Sequence, residues 1–396
     1  MANTILTPVM VTRETLRILH QKLNFVGNII REYDSSFAKS GARIGDTLKI
    51  RLPNQYTVRT GATLSAQDTT EASVSLQVAT QKGVDLNFTS VDLTLNLDDF
   101  SKRIIEPACS VLAAAIEADA LNMTKDIYNS VWNGGAALTV AKVLQGRKLM
   151  QDALAPLNDR TALMATQDMV DLVTDTKGLF NNQNEIGKQY REGFMGRFAG
   201  FDFAENTLVP SFLRGAGNAS YVVDTSSGIT SGSATIAVTA GAGALVVGDV
   251  LTIAGVDKVH PESKVDTGIL RQFTVTTAYA GGAGNITVSP TPVTTGGGQN
   301  IVILAAGAGK AVTFAGTVST SVGTSLLFQK EAFAFATADL VMPEGMDFAY
   351  REVQDGISLR IVRQYDINND KFPCRLDVLY GYKTVRPQLA VRLLNN

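Results

Sequence analysis

Histidine and cysteine are almost missing from this 396-residue chain, and most routes to catalysis go with them. The two histidines, His20 and His260, lie far apart, and neither has a cysteine or second histidine at metal-ligand spacing. Cys109 and Cys374 belong to no CxxC or Cys/His cluster and read as buried small hydrophobes. No GxSxG elbow occurs. AAGAGKAV, residues 305–312, superficially resembles a phosphate loop, but Leu304 stands where the leading glycine is needed and Ala311 where Ser or Thr would hold Mg²⁺. It reads as a glycine-rich turn. The Asp98–Asp99 and Asn368–Asn369–Asp370 clusters read as caps or turns, with no EF-hand spacing for calcium. The sequence offers no active site, cofactor or metal, and it is not read as an enzyme.

Charge is also scarce. Charged residues make up 18% of the chain, and 35 Lys and Arg against 37 Asp and Glu leave a net charge of −2. Such a chain sets up no field for DNA or an anionic membrane. Basic residues are not interleaved with aromatics along any element, which excludes sequence-specific nucleic-acid readout. No apolar run reaches the roughly 18 to 20 residues of a spanning helix. The start, MANTILTPVMVTRETLRIL, lacks a secretory pattern, so the expectation is a cytoplasmic product. The first fifty residues lean basic and read as a solvated arm.

Hydrophobic residues make up 45%, enough for a large core and two domains. Thr12 opens a helix with Leu16, Leu19 and Leu23 on one face. From Gly45 the period becomes two: Leu48, Ile50, Leu52, then Val74, Leu76, Val78 and Val84, Leu86, Phe88. These read as one long two-stranded excursion, marginal alone and leaning on another subunit. Pro107 then opens a helix of about 25 residues, roughly 37 Å, with Leu112, Ile116, Met123, Ile127 and Val131 as its stripe and Asn133–Gly135 as its end. A helix from Val140 to about Ala153 follows, capped by Thr139 and stopped by Pro156. The strand TALMAT, short helices QDMVDLV and 185–191, and two short strands in GRFAGFDFAENTLVP complete an α+β region.

Residues 215–324 differ in composition. They are rich in Gly, Ala, Ser, Thr and Val, and their alternations (SATIAVTA, GDVLTIAG, RQFTVTTA, NITVSP, NIVILAA) are separated by turns at about ten-residue intervals. That spacing predicts a small antiparallel barrel or sandwich inserted into a host domain. Its charges gather in DKVHPESKVD, residues 257–266, expected to face solvent and a neighbour. Long alternating strands return in LLFQKEAFAFATADLVMPEG, GISLRIVRQYDINND and CRLDVLYGYKTVRPQLAVRLL.

This order of elements resembles the tailed-phage major capsid proteins of the Hong-Kong-97-type fold, and within them the coat-protein family of the short-tailed Salmonella phages, which carries an inserted β-barrel. The resemblance rests on FAGFDFAENTLVP, on GDVLTIAGV with FTVTT and ITVSPTPV, and on RLDVLYGYKTVRPQLAVRL with Tyr380, Gly381, Arg386 and Pro387. It implies an N-terminal arm (1–44), an E-loop (45–95), a spine-helix, peripheral and axial body (96–214 and 325–396) and the inserted β domain (215–324). It further implies an icosahedral shell of pentamers and hexamers around double-stranded DNA, an insert that braces the subunit, a scaffolding protein and a portal, and assembly in the host cytoplasm without a membrane. Candidate subunit contacts are Arg59, Asp68, Glu71, Lys82, Asp257, Lys258, Glu262, Lys264 and Asp266. An encapsulin-like nanocompartment shell and an extracellular β-rich adhesin are the alternatives.

Overall fold

The structure is a computed structural model and describes residues 8–33, 47–64, 66–68, 71–89, 105–176, 196–224, 228–304, 309–345, 348–354, 356–369 and 371–395. Asp98, Asp99, Asp370 and the expected helix at 185–191 lie outside these residues. The chain forms two units, one of Met1–Ile50, Ser73–Leu121 and Phe333–Val385, the other of Arg51–Ala72, Asn122–Ala332 and Arg386–Asn396.

In the first unit, α1 (Pro8–Lys22) packs against α2 (Glu106–Leu121). Leu16 and Leu19 are fully buried on the face their spacing predicts, while Arg13 and Arg17 stay wet. Glu117 of α2 is also buried, because its carboxylate accepts the Phe25 and Val26 N–H groups at 3.0 and 2.9 Å, where a short 3-10 turn leaves them unpaired. The sheet is organised around the strand Lys371–Thr384. Thr80–Thr89 occupies one edge of it, while Phe333–Ala338 and Ile357–Arg363 share the other end to end. Phe348–Gln354 forms a hairpin with Ile357–Arg363, and Ile30–Tyr33 adds in parallel to the Phe333 strand. A Cβ on Gly381 would stand 2.1 Å from the Gln77 carbonyl oxygen, so this crossing requires glycine. Both cysteines are buried and free, and burial pushes each thiol up to about 12.

Three expectations change here. The N-terminal segment is not a solvated arm: its helix begins at Pro8, ahead of Thr12, and Leu16, Leu19, Phe25, Val26 and Ile29 are fully buried because they pack into this unit. The excursion is narrower than its alternation predicts: only Thr47–Arg51 and Ser73–Gln77 pair as a separate ribbon, because Thr80–Thr89 finds its ladder on the Lys371 strand. The long helix stops at Leu121. Met123, Ile127 and Val131 are buried as the stripe implies, but on a 3-10 turn (Asn122–Asp126), the connection after it and a strand (Ser130–Trp132) respectively.

The second unit holds a mixed host sheet in the order Ser130–Trp132, Ala390–Asn395, Ser321–Gln329, Arg160–Met164, Phe201–Glu205, Arg197–Phe198. With it go α3 (Val140–Asp152) and α4 (Thr166–Asp175). The start of α3 is capped from α4: the Asp175 carboxylate accepts the Val140 N–H at 2.8 Å, and the Thr139 side chain caps nothing. Asp168 of α4 is buried and accepts from the Ser325 hydroxyl and, at 3.0 Å, from Asn395 Nδ2, which fixes the last strand. Burial holds the Asp168 carboxyl above its ordinary range against those two hydrogen bonds.

Between Phe212 and Ser321 the chain builds a closed antiparallel barrel. Its strands are β1 (Val222–Val223), β2 (Thr235–Ala240), β3 (Val250–Val259), β4 (Asp266–Val275), β5 (Gly284–Ser289) and β6 (Lys310–Phe314). The ring runs β4-β5-β2-β1-β6-β3 and closes by β3–β4 pairing, with Ile301–Ile303 added to the far end of β3. Alternate residues fill it: Val223, Ile236, Val238, Leu251, Ile253, Phe273, Val275, Ile286, Val288 and Val312. Five of the alternations predict strands that form. β1 and β6 were not expected, and Lys310–Val312, read as part of a turn, lies in β6. The host strand Ser321–Gln329 runs through residue 325, the expected return point.

Tyr221 plugs one end of the barrel, its hydroxyl donating to the Gly243 carbonyl at 2.6 Å and its ring edge-on to Phe314 at 5.5 Å. Gly241 lies against that ring, and a Cβ there would come within 2.2 Å of it. Gly241→Ala should therefore cost about 1–3 kcal/mol of overpacking, and combining it with Tyr221→Leu should cost less than the sum of the two. Chemical denaturation of the three variants checks both.

Candidate functional site: the seam between barrel and host

The barrel is joined to its host by a built polar seam, all of it within the second unit. Gln272 on β4 acts as a surrogate strand partner for Ser130: its Oε1 accepts the Ser130 N–H and its Nε2 donates to the Ser130 carbonyl, both at 2.8 Å. This satisfies the outer edge of the host sheet. Two residues along β4, the Thr274 hydroxyl donates to the Lys125 carbonyl at 3.0 Å. Strand periodicity points both side chains out of the same barrel face.

Arg392 enters from the opposite direction. It belongs to the last host strand, is 1% exposed, and donates from Nη2 to the Gly248 carbonyl at 2.7 Å, with its guanidinium over the Phe212 ring. Burial brings it down to about 10, offset by Asp249 and Asp126, so it stays charged at neutral pH. Asp249 closes the entrance to the barrel by accepting from the Gly215 and Val246 N–H groups at 3.0 and 2.9 Å. Burial raises its carboxyl above the ordinary range against those bonds and the nearby arginines.

The third tie is an ion pair. Lys258 of β3 reaches Asp152 at the end of α3 at 2.8 Å, and Lys148 meets the same oxygen at 2.9 Å. With Lys258 14% and Asp152 30% exposed, this pair is better shielded than the exposed Arg51–Glu71 pair.

The structure places the expected contact residues in three settings. Arg59, Asp68 and Glu71 are exposed on the loop 51–72, where Glu71 pairs with Arg51 at 3.3 Å and Arg59 donates to the Gly61 and Thr63 carbonyls. Lys82 is not on that loop. It lies in Thr80–Thr89 with its ammonium 2.7 Å from Asp119, which also accepts from the Tyr380 hydroxyl. The segment 257–266 divides: Asp257 is buried in β3 and Lys258 is held by Asp152, whereas Glu262 and Asp266 are exposed and Lys264 is half-buried. The expectation of a wholly solvent-facing loop is therefore corrected, because its first residues continue β3 and are covered on both edges. His260 is a turn residue whose Nδ1 accepts from the Glu262 and Ser263 N–H groups. His20 lies in α1.

Sequence reasoning missed Gln272, Asp249, Asp152 and Arg392 as seam residues. Only Arg392 carries a signal in sequence, a lone cation inside the apolar run Leu389–Leu394.

Asp152 gives the seam an acid dependence. Burial works against its charge, but Lys258 and Lys148 outweigh that and hold it below the ordinary carboxylate range. A carboxyl depressed by folding contributes in full above its unfolded value, near 4, and loses that contribution as pH falls through the folded value. Asp152→Asn should lose about 1 kcal/mol at pH 7 and progressively less as pH falls below the ordinary carboxylate range, as read from denaturation midpoints across pH.

Comparison with known proteins returns a family match, described as P22 coat protein – gene protein 5, over residues 26–394. No curated protein matches. Among solved structures, that of Mycobacterium phage Che8 aligns at 12% identity and TM-score 0.48, covering 94% of this chain and 90% of that one. The mature capsid of bacteriophage PhiM1 aligns at 11% identity and TM-score 0.45, covering 94% and 87%. A virus-like particle from Pyrococcus furiosus aligns at 7% identity and TM-score 0.39, covering 97% and 98%. The family match runs from residue 26 through the inserted barrel to the closing strand: the chain belongs to the P22 coat protein family, and it is a major capsid protein of a tailed phage.

Proposed function

We propose that copies of this chain form pentamers and hexamers that close into an icosahedral shell around double-stranded DNA, with the loop 51–72 of each copy lying across its neighbour. One observation carries this reading. On that loop Val58 is 95% exposed, Leu64 83% and Tyr56 53%, three large apolar side chains that a single copy leaves in water. Arg59, Asp68 and Glu71 around them supply the polar rim of an interface. The loop is rigid enough to be presented: Gln67 accepts from and donates to the Thr57 backbone at 2.9 and 2.6 Å, and the Leu52 N–H donates to the Ala72 carbonyl at 2.8 Å.

The inserted β domain, residues 215–324, braces the subunit through the seam, while Glu262, Lys264 and Asp266 remain the insert residues available to a neighbour. Lys82, Asp257 and Lys258 have roles inside their own chain. A net charge of −2 suits a wall that encloses DNA without gripping it. Guidance by a scaffolding protein, a portal at one vertex and assembly in the host cytoplasm complete the proposal, which requires no membrane.

Negative-stain microscopy tests it, first on the chain alone and then with a co-expressed scaffolding protein. Closed shells tens of nanometres across are expected. The double substitution Val58→Asp and Leu64→Asp should abolish them and leave circular dichroism and the unfolding midpoint within about 0.5 kcal/mol of the parent, as for exposed sites. Shells that persist in this variant would refute the loop as the contact.

A further inference from the structure

Two cations of the second unit, Arg271 and Lys264, stand out because they share one cleft. The Arg271 guanidinium, on β4, rests over the Tyr128 ring at 4.6 Å, and its Nε is buried without a hydrogen-bond partner. The Lys264 ammonium reaches only the Gln299 carbonyl, at 3.4 Å. Burial lowers its pKa from the ordinary lysine value, as it does for a cation removed from water with no counter-charge. Neither residue forms an ion pair among the described residues.

Both line one cleft of about 440 Å³, between the barrel and the end of α3. Its charged lining consists of Lys258, Lys264, Arg271 and Arg386 against Asp152 and Glu262. Asp152 is occupied by Lys258 and Lys148. Arg386 holds Glu331 through Nη1 at 2.7 Å, and its Nε also lacks a partner. Glu262 is exposed and makes no ion pair among the described residues. The cleft thus carries an excess of partly desolvated positive charge.

The backbone gives an independent indication. Lys264 sits at φ +59°, left-handed backbone that favours glycine or asparagine. The turn is fixed by its N–H donating to the His260 carbonyl at 3.0 Å and by the His260 N–H donating to the Val265 carbonyl at 2.9 Å. A long cationic side chain kept at a strained position and half-buried in a cleft fits a binding role.

We propose that this cleft is an oxyanion site, in which Lys264 and Arg271 together hold one carboxylate or phosphate group. Arg271 supplies the planar fork and Lys264 the point charge, the pairing that suits such a group. The oxyanion is either free in solution or the side chain of an acidic residue on a second copy of the chain.

The test is read on the unassembled chain, so its result is separate from the shell reading. Inorganic phosphate and acetate are titrated calorimetrically at constant ionic strength with chloride as control. Saturable binding is expected, weakened about tenfold by Lys264→Gln and by Arg271→Gln and retained by Lys264→Arg. A structure of the wild-type chain in phosphate, with an ordered anion between the two cations, gives a readout that needs no variant. Binding no stronger than chloride, or wild-type affinity retained by both glutamine variants, overturns the site. Repeating the titration on closed shells identifies the source: loss of phosphate binding there marks a carboxylate from a second copy, and unchanged binding marks a free oxyanion.

Discussion

The second unit depends on the pairing of Val250–Val259 with Asp266–Val275, which closes the barrel. A segment with so few charges would present apolar strands and bare sheet edges if it lay open. Closure satisfies the edges and turns one face of every strand into a shared interior. The two strands do not match in length across their middle: between Thr252↔Gln272 and Asp257↔Leu270 the first strand carries extra residues in a bulge at Gly255, φ +70°. Beyond the bulge β3 exchanges one neighbour for another, β6 giving way to Ile301–Ile303. The same irregularity that closes the ring therefore also extends β3 to Lys258 and its ion pair with α3.

Because the barrel core is complete in itself, its attachment can be polar and directional. Gln272 completes a host strand edge, Arg392 crosses from host to barrel, and Lys258 ties β3 to a helix. These contacts fix orientation more than they add apolar burial. The buried arginine is the costly member, since removing its partner would leave a charge with little access to water. The exposed pairs elsewhere, Arg375–Asp85 and Arg51–Glu71, lie in solvent where such pairs contribute little.

The loop 51–72 is built on the opposite principle. Its backbone is cross-braced by Gln67, yet its apolar side chains are left outside. One chain thus combines a module that satisfies itself with a segment that a single copy leaves unfinished, a division suited to a coat subunit that must fold before it assembles.

Local pattern alone determined a good deal. The strands of the insert were legible because Gly, Pro and Asn turns bound runs of period two, and the end of α3 because Pro156 stops it. The burial of Leu112, Ile116, Met123, Ile127 and Val131 was legible too, but periodicity reports burial and not conformation, so the helix was drawn past Leu121 onto a turn and a strand. The tertiary structure decided the rest. β1 has two residues and can show no period, and β6 becomes a strand only because β1 and β3 flank it. Lys82 looked like a loop cation until the Lys371 strand took its segment as a neighbour. Gln272, Asp152 and Asp249 became seam residues through partners between 34 and 142 positions away, and contacts over such distances leave no local trace in the sequence.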